Sequence, residues 1–172
     1  MHTRVFISCV LLLLIPLALG TSLDRALASL NSLTPHLESV QQASRNYNGG
    51  IPSTTSLMLA AYRLDRAVQD ATSAFDTLNQ LTTDEVERWE EAYTELFPIA
   101  SETANSYAGM GPVADRMGYA PFVPAFTQMV EARTNLLFES MFRAIPAANG
   151  SLVSGARREV QQIFQGVRAR LA

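Results

Sequence analysis

Lysine is absent from this chain of 172 residues, and cysteine and histidine are nearly absent. The single cysteine, Cys9, has no partner for an intramolecular disulfide, so the fold must be stable without one. The two histidines, His2 and His36, are too few for the ligand clusters that usually hold a metal. All 13 basic residues are arginine, and 16 acidic residues give a net charge of −3. This mildly acidic balance argues against nucleic-acid binding, which needs a basic surface.

A signal peptide is predicted at residues 1–20. An apolar run, Val5–Leu19, follows a short polar head that contains Arg4. Small residues, Ala18 and Gly20, precede the expected cleavage site. The protein is therefore expected to be secreted, and Cys9 would be removed with the signal.

The mature chain, residues 21–172, has the length of one domain. It contains no second apolar run long enough to cross a bilayer, so we do not expect a membrane-spanning protein. Its one glycosylation sequon begins at Asn149 and falls in a predicted loop. Asn149 is therefore the candidate glycosylation site.

The mature chain has the apolar periodicity of amphipathic helices, and the alternation typical of strands is hard to find. Pro35 predicts a kink or break in the first helix, and Pro98 predicts a kink in the third, because proline lacks the backbone donor. Short loops between helices favour antiparallel neighbours. The predicted fold is an all-α antiparallel bundle of about five amphipathic helices without disulfides. Thr82 and Glu85 have the spacing of a capping box at the start of the third helix. The predicted helices are about Leu23–Ser44, Ser53–Leu81, Thr82–Tyr107, Pro124–Ala144 and, beginning at Ser151 or Ser154, a last helix to Leu171.

No pattern predicts catalysis or a cofactor. A Ser-His-acid triad would have to use His36, and the chain has no G-x-S-x-G motif. Glu87, Glu91 and Glu95 share a helix face that would suit a hard cation, but a solvated face is the simpler interpretation. Residues 109–114 match G-x-G-x-x-A without the preceding strand that a dinucleotide site needs. We therefore predict neither a metal site nor an enzyme.

The last helix ends in a basic segment. Arg157, Arg158, Arg168 and Arg170 lie on it. Those near its C-terminus complement the negative end of the helix dipole. The alternative is that some of them meet an anionic head group or carboxylate.

The fourth helix has more apolar surface than an ordinary surface helix needs. Its apolar residues, many of them Phe and Met, cover over half of its circumference. One explanation is a central core helix. The other is contact with a flexible apolar ligand such as an acyl chain, which suits the adaptable side chain of Met. The candidate ligand-lining residues, which an ordinary core would also explain, are Leu64, Val68, Phe97, Phe126, Met129, Val130, Leu137 and Met141.

The order of these segments carries a family resemblance. A Leu-rich first helix is followed by the loop Tyr47–Gly50, by an amphipathic helix containing Asp70–Thr72, and by the Phe122–Phe142 helix before Ala144–Pro146. With a final amphipathic helix and no mature cysteine, the chain resembles the fungal hydrophobic-surface-binding protein A family, also called the cell-wall galactomannoprotein family. The resemblance covers nearly all of Leu23–Leu171. The chain departs from longer members of the family in lacking a Ser/Thr-rich stalk and a glycolipid-anchor signal.

The resemblance implies a non-enzymatic helical protein that is secreted or associated with the cell wall. Members adsorb to hydrophobic surfaces, some recruit a polyester-degrading hydrolase, and others enclose fatty acids among their helices. The leading hypothesis from the sequence is a secreted protein that binds a long-chain fatty acid or another apolar small molecule. The alternative is an extracellular protein that adsorbs to hydrophobic surfaces and attracts a secreted hydrolase.

Overall fold

The computed structural model describes residues 21–118 and 122–171, except for the side chains of residues 122, 123 and 171. The predicted signal peptide, residues 1–20, lies outside the described residues. Within the described segments the chain forms helices and no strand. They are α1 (Ser22–Asn31), α2 (Leu33–Arg45), α3 (Ile51–Asp76), α4 (Thr83–Gly109), α5 (Gly111–Arg116), α6 (Phe122–Ala144), a 3₁₀ turn (Ala147–Asn149) and α7 (Gly150–Leu171).

The first predicted helix is divided into α1 and α2 at Ser32. Pro35 causes this break, because it lacks an N–H and its ring crowds the carbonyl group of Asn31, four residues earlier. Ser32 closes α1 by donating its backbone N–H to Ala28 O at 3.0 Å. The predicted interruption is confirmed here. The helix α4 continues through Pro98, which is exposed on its surface.

Reciprocal capping boxes start α1 and α4. At α4, Thr82 N donates to Glu85 Oε2 at 2.8 Å, and Glu85 N donates to Thr82 Oγ1 at 3.4 Å. Thr21 and Asp24 form the same pair at α1. Each box satisfies backbone donors that the first turn of a helix leaves without partners. The Thr82–Glu85 pair was expected from the sequence, and the structure confirms it.

The helix α3 ends at Asp76, five residues before the predicted end at Leu81. Tertiary contacts explain the difference. Leu81 is buried, and its N–H donates to Ala144 O, the last residue of α6, at 2.8 Å. The Leu81 amide thus serves as a cap for another helix instead of extending its own.

Consecutive long helices run in opposite directions along the chain. The helices α3 and α6 are not consecutive and run in the same direction, as contacts between Asp65 and Arg133 and between Asp76 and Arg143 show. A hydrogen bond from Thr103 to Leu37 O joins α4 to α2. Packing then follows a closed ring from α1 and α2 to α3, α6, α7, α4 and back to α2.

The apolar arc of α6 is divided between two environments. One side packs against α3 and α7 and faces the interior of the ring. The other side leaves Met129, Leu136 and Phe142 between 40% and 46% exposed. Thus α6 is one member of the ring and is not a central helix surrounded by the others.

Candidate functional site: an apolar cavity inside the helical ring

A partly open cavity lies inside the ring and receives side chains from α1, α2, α3, α4, α6 and α7. Its volume is about 150 Å³, roughly ten times what one water molecule requires. Leu30 and Leu33 line it from the α1–α2 break, and Val160 and Val167 line it from α7. Because none of the described helices runs along the axis of the ring, the inward side chains meet across this space.

Every side chain that lines the cavity among the described residues is uncharged. Its hydroxyl groups are engaged within the protein. Thr103 Oγ1 donates to Leu37 O at 3.2 Å, and Thr134 Oγ1 donates to Val130 O at 2.8 Å. Since these hydroxyls have protein partners, the wall presents mainly methyl, methylene and aromatic groups. Such a surface favours hydrocarbon.

Two tyrosines in the wall remain neutral phenols. Burial raises the pKa of Tyr93 well above its ordinary value, and the adjacent Glu159 carboxylate raises it further. Burial likewise raises the pKa of Tyr107, although a hydrogen bond with Thr127 opposes this effect. Tyr93 Oη donates to Ala156 O at 3.2 Å, which ties α4 to α7. The wall therefore gains no negative charge near neutral pH.

An aromatic row stiffens the wall formed by α4. Trp89, Tyr93 and Phe97 are spaced four residues apart, with ring centroids 5.7 and 5.8 Å from one to the next. Phe138 of α6 meets Tyr93 edge-on at 6.4 Å. Aromatic pairs of this geometry add stabilisation beyond burial of their area. This row fixes the separation of α4 from α6 beside the cavity.

Seven of the eight candidate lining residues meet at the cavity. They are Leu64, Val68, Phe97, Phe126, Val130, Leu137 and Met141. Met129 does not line it, and its side chain is 40% exposed. At 3.6 residues per turn, Met129 lies about 120° around α6 from the middle of the cavity-facing residues. Its assignment to the lining is therefore corrected.

Sequence reasoning did not select the walls from α1, α2 and α7 as lining, although their apolar stripes were visible. An apolar stripe alone does not separate a side chain packed in the core from one that borders a cavity. These additional residues are Leu30, Leu33, Leu37, Val40, Val160, Ile163, Phe164 and Val167.

The other sequence features lie outside the cavity. Glu87, Glu91 and Glu95 are exposed, and the described residues contain no group of three or more potential metal ligands. His36 is half-buried in α2. Asn149 lies at the end of the 3₁₀ turn, half-buried, instead of in an open loop. Among the described helices, none has the length and apolar character needed to cross a membrane.

Comparison with known proteins finds similarity in structure alone. No family model and no curated protein matches the chain. Afmp4p in complex with palmitic acid has a TM-score of 0.82 at 13% identity, covering 87% of this chain and 99% of that one. Ligand-binding domain 1 of the Penicillium marneffei MP1 protein, complexed with arachidonic acids, has a TM-score of 0.80 at 14% identity, covering 88% and 99%. Domain 2 of the same protein has a TM-score of 0.70 at 11% identity, covering 88% and 92%.

The chain therefore has the fold of these helical ligand-binding domains over nearly its whole described length. Identities of this size show a common fold and do not transfer a ligand. The case for a ligand in this chain depends on its own cavity.

Proposed function

We propose that the protein binds a long-chain fatty acid, with the hydrocarbon chain inside the cavity. The observation that carries this proposal is the uncharged cavity that six helices line jointly. Support comes from structures of the same fold, which are complexes with palmitic acid and arachidonic acids. Another apolar molecule of similar length would meet the same wall.

The dimensions of the cavity suit such a chain. Its α4 wall extends from Tyr93 to Tyr107, which is about 21 Å at a rise of about 1.5 Å per residue. Carbon–carbon bonds of about 1.5 Å meet at tetrahedral angles, so each bond advances an extended chain by about 1.25 Å and about sixteen carbons span roughly 19 Å. Burial of ~14 methylenes contributes about 11 kcal/mol before association costs. Association costs span about 4–15 kcal/mol, and a cost near the low end would leave about 7 kcal/mol, which corresponds to a dissociation constant of about 10 µM.

We further propose that the mature protein, residues 21–172, is secreted and is related to the hydrophobic-surface-binding family. The apolar segment at residues 1–20 supports secretion. The similarity to the MP1 domains and to Afmp4p supports a related family. Association with a cell wall, glycosylation at Asn149 and the absence of catalysis remain predictions from the sequence.

Native mass spectrometry tests the fatty-acid proposal. The protein is secreted from a eukaryotic host, purified without detergent, and measured before and after organic extraction. We expect an added mass that matches a fatty acid, lost on extraction and restored by palmitate or arachidonate. A protein that carries no lipid and gains no mass with either acid would refute the proposal.

Two neighbouring residues on α6 provide a matched pair of variants. Val130 lines the cavity, whereas Met129 lies on the outer side of the helix. A carboxylate at Val130 would have to be desolvated beside the acyl chain, so Val130→Glu should abolish uptake. Met129→Glu should leave uptake within about twofold of the wild type, since solvent surrounds the new charge. Equal uptake by folded Val130→Glu protein would place the ligand elsewhere.

An exposed apolar stripe on α3 favours a second function, adsorption to hydrophobic surfaces. Ile51 is 78% exposed, and Tyr62, on the same helix face, is 60% exposed. Met58 and Leu59 lie between them and are about half exposed. This stripe does not line the cavity, so adsorption would not need the helices to separate. Recruitment of a secreted hydrolase would follow adsorption in this proposal.

Retention on hydrophobic beads tests the second function. The variant Met58→Gln/Tyr62→Gln should lose retention, whereas Leu136→Gln, an exposed position on α6, should keep it. Saturating palmitate should not compete if the α3 stripe is the adsorbing surface. Retention of the double variant at the wild-type level would exclude the stripe.

A further inference from the structure

A polar groove between α4 and α7 adjoins the cavity. The two spaces share Phe97, Ile163 and Val167 in their walls. The rest of the groove is lined by Ser101, Asn105, Glu159, Gln162, Gly166 and Arg170. An uncharged cavity cannot hold an ionised carboxylate without a large desolvation cost. The polar end of an acyl ligand therefore needs a place beside the cavity, and this groove is one.

The groove has opposite charges at its two ends. Tyr93 Oη contacts both Ala156 O and Glu159 Oε2 at 3.2 Å, which places Glu159 at the end of the groove nearest Tyr93. Because α4 and α7 run in the same direction, Asn105 is then level with Arg170 at the opposite end. Eleven residues separate Glu159 from Arg170, a distance of about 16 Å along the helix. An anion is repelled at the first and attracted at the second.

Arg170 differs from two other arginines of α7 in its ion pairing. Arg168 pairs with Glu131, and Arg157 lies 3.9 Å from Glu139. Among residues 21–118 and 122–171, Arg170 makes no salt bridge. Its guanidinium group is thus available to an anion from solution at the point where the groove is basic.

Gly166 keeps the groove open. A Cβ atom built at Gly166 meets no heavy atom within 4 Å, so the missing side chain leaves space in the wall without a backbone constraint. Glycine inside a helix is less favourable than alanine by roughly 0.5–1 kcal/mol. Helix stability alone therefore does not favour glycine here, whereas access along the groove does.

We infer that the Arg170 end of this groove holds the carboxylate of the fatty acid whose hydrocarbon chain occupies the cavity. The inference rests on the proposed function and adds the position and direction of the ligand. Arg170 supplies the charge, and the side-chain amides of Asn105 and Gln162 supply further donors. The methyl end then lies toward Leu30 and Met141, at the far end of the cavity.

Two spin-labelled stearic acids test this direction by NMR on the isotopically labelled secreted protein. A nitroxide near the carboxyl group should broaden the amide signals of Asn105 and Gly166. A nitroxide near the methyl end should broaden those of Leu30 and Met141. The reverse pattern, or the same pattern for both labels, would overturn the inference while leaving fatty-acid binding intact. Failure of both labels and of unlabelled stearate to bind would instead refute the proposed function.

A charge reversal tests the role of Arg170. Because the pair would be solvent-exposed, Arg170→Glu should weaken palmitate binding by about fivefold. The same variant should strengthen binding of hexadecylamine. Arg158→Glu, an exposed position on the same helix outside the groove, serves as the control and should change neither ligand by more than about twofold. Wild-type affinities of Arg170→Glu for both ligands would exclude Arg170.

Closing the groove gives an independent test. Gly166→Leu should fold normally, because its Cβ has open space, and should slow fatty-acid uptake or weaken binding several-fold. Gly155→Leu is the matched control, since Gly155 also lies in α7 with open space around its Cβ but lines neither the cavity nor the groove. Equal uptake by both variants would overturn the assignment of the groove.

Discussion

Filling the cavity from its wall should raise stability and lower lipid affinity together. Ala104, in α4, lines the cavity and is partly buried against the core. The substitution Ala104→Leu adds three carbon atoms that would project into existing space. In an ordinary packed core the same enlargement is destabilising by about 1–3 kcal/mol, because neighbouring side chains must move. The sign of the stability change therefore separates a real cavity from a filled interior.

The expected size follows from the added apolar surface. Three carbon groups at about 0.8 kcal/mol each contribute roughly 2.4 kcal/mol. Restriction of the new leucine side chain costs about 0.5–1 kcal/mol. The net gain of about 1.5 kcal/mol should raise the melting temperature by about 3–6 °C in a protein of this length. Space for about two methylenes of the ligand is lost, so binding should weaken by roughly tenfold.

Urea unfolding and displacement of a fluorescent fatty acid measure the two effects on delipidated protein. Ala92, also in α4, provides the control because it is buried and does not line the cavity. Ala92→Leu should lower stability, with an unchanged m-value. Destabilisation of Ala104→Leu to the same extent would mean that the interior is already filled. A stabilised Ala104→Leu variant with unaltered affinity would mean that the ligand binds outside the cavity.

Three further predictions concern stability. A hydrogen bond from Arg88, and then those of the helix cap, lower the pKa of Asp24 to about 2. The contribution of ionised Asp24 to the free energy of unfolding is complete above its ordinary pKa of 3.8 and is lost as the pH falls through about 2. The melting temperatures of Asp24→Asn and the wild type should therefore converge over that interval, and a constant difference between them would contradict this. Gly49 has φ of 80°, so Gly49→Ala should destabilise by about 1–3 kcal/mol in urea, whereas Gly109→Ala, in open space, should be neutral or stabilising. Trp89 is only 1% exposed, so Trp89→Ala should lower the free energy of unfolding in urea by about 3–5 kcal/mol. A loss below about 1 kcal/mol would show that the surrounding side chains fill the space left by the indole ring.

Local features of the helices were predictable from the sequence. The Thr82–Glu85 capping box and the break before Pro35 depend on interactions within a few residues, and the structure confirms both. The end of α3 was not predictable in the same way. The Leu81 amide binds Ala144 O, a partner more than sixty residues away, and no local pattern contains that contact.

The candidate lining shows the same division. Apolar periodicity placed Leu64, Val68 and Val130 on inward faces because burial requires an apolar stripe. It also assigned Met129, which the rotation of α6 within the ring leaves exposed. An apolar stripe has the same sequence whether it borders a cavity or a packed core, so the lining depended on the tertiary arrangement.

By itself, the sequence determined that the chain has no intramolecular disulfide and that amphipathic helices dominate. These properties follow from composition and from the helical repeat. Only the tertiary structure decided that the helices close into a ring and that α4 and α7 leave a polar groove beside its apolar interior. The physical reason is that ring closure depends on contacts between residues far apart in the chain, such as Leu37 with Thr103 and Tyr93 with Ala156.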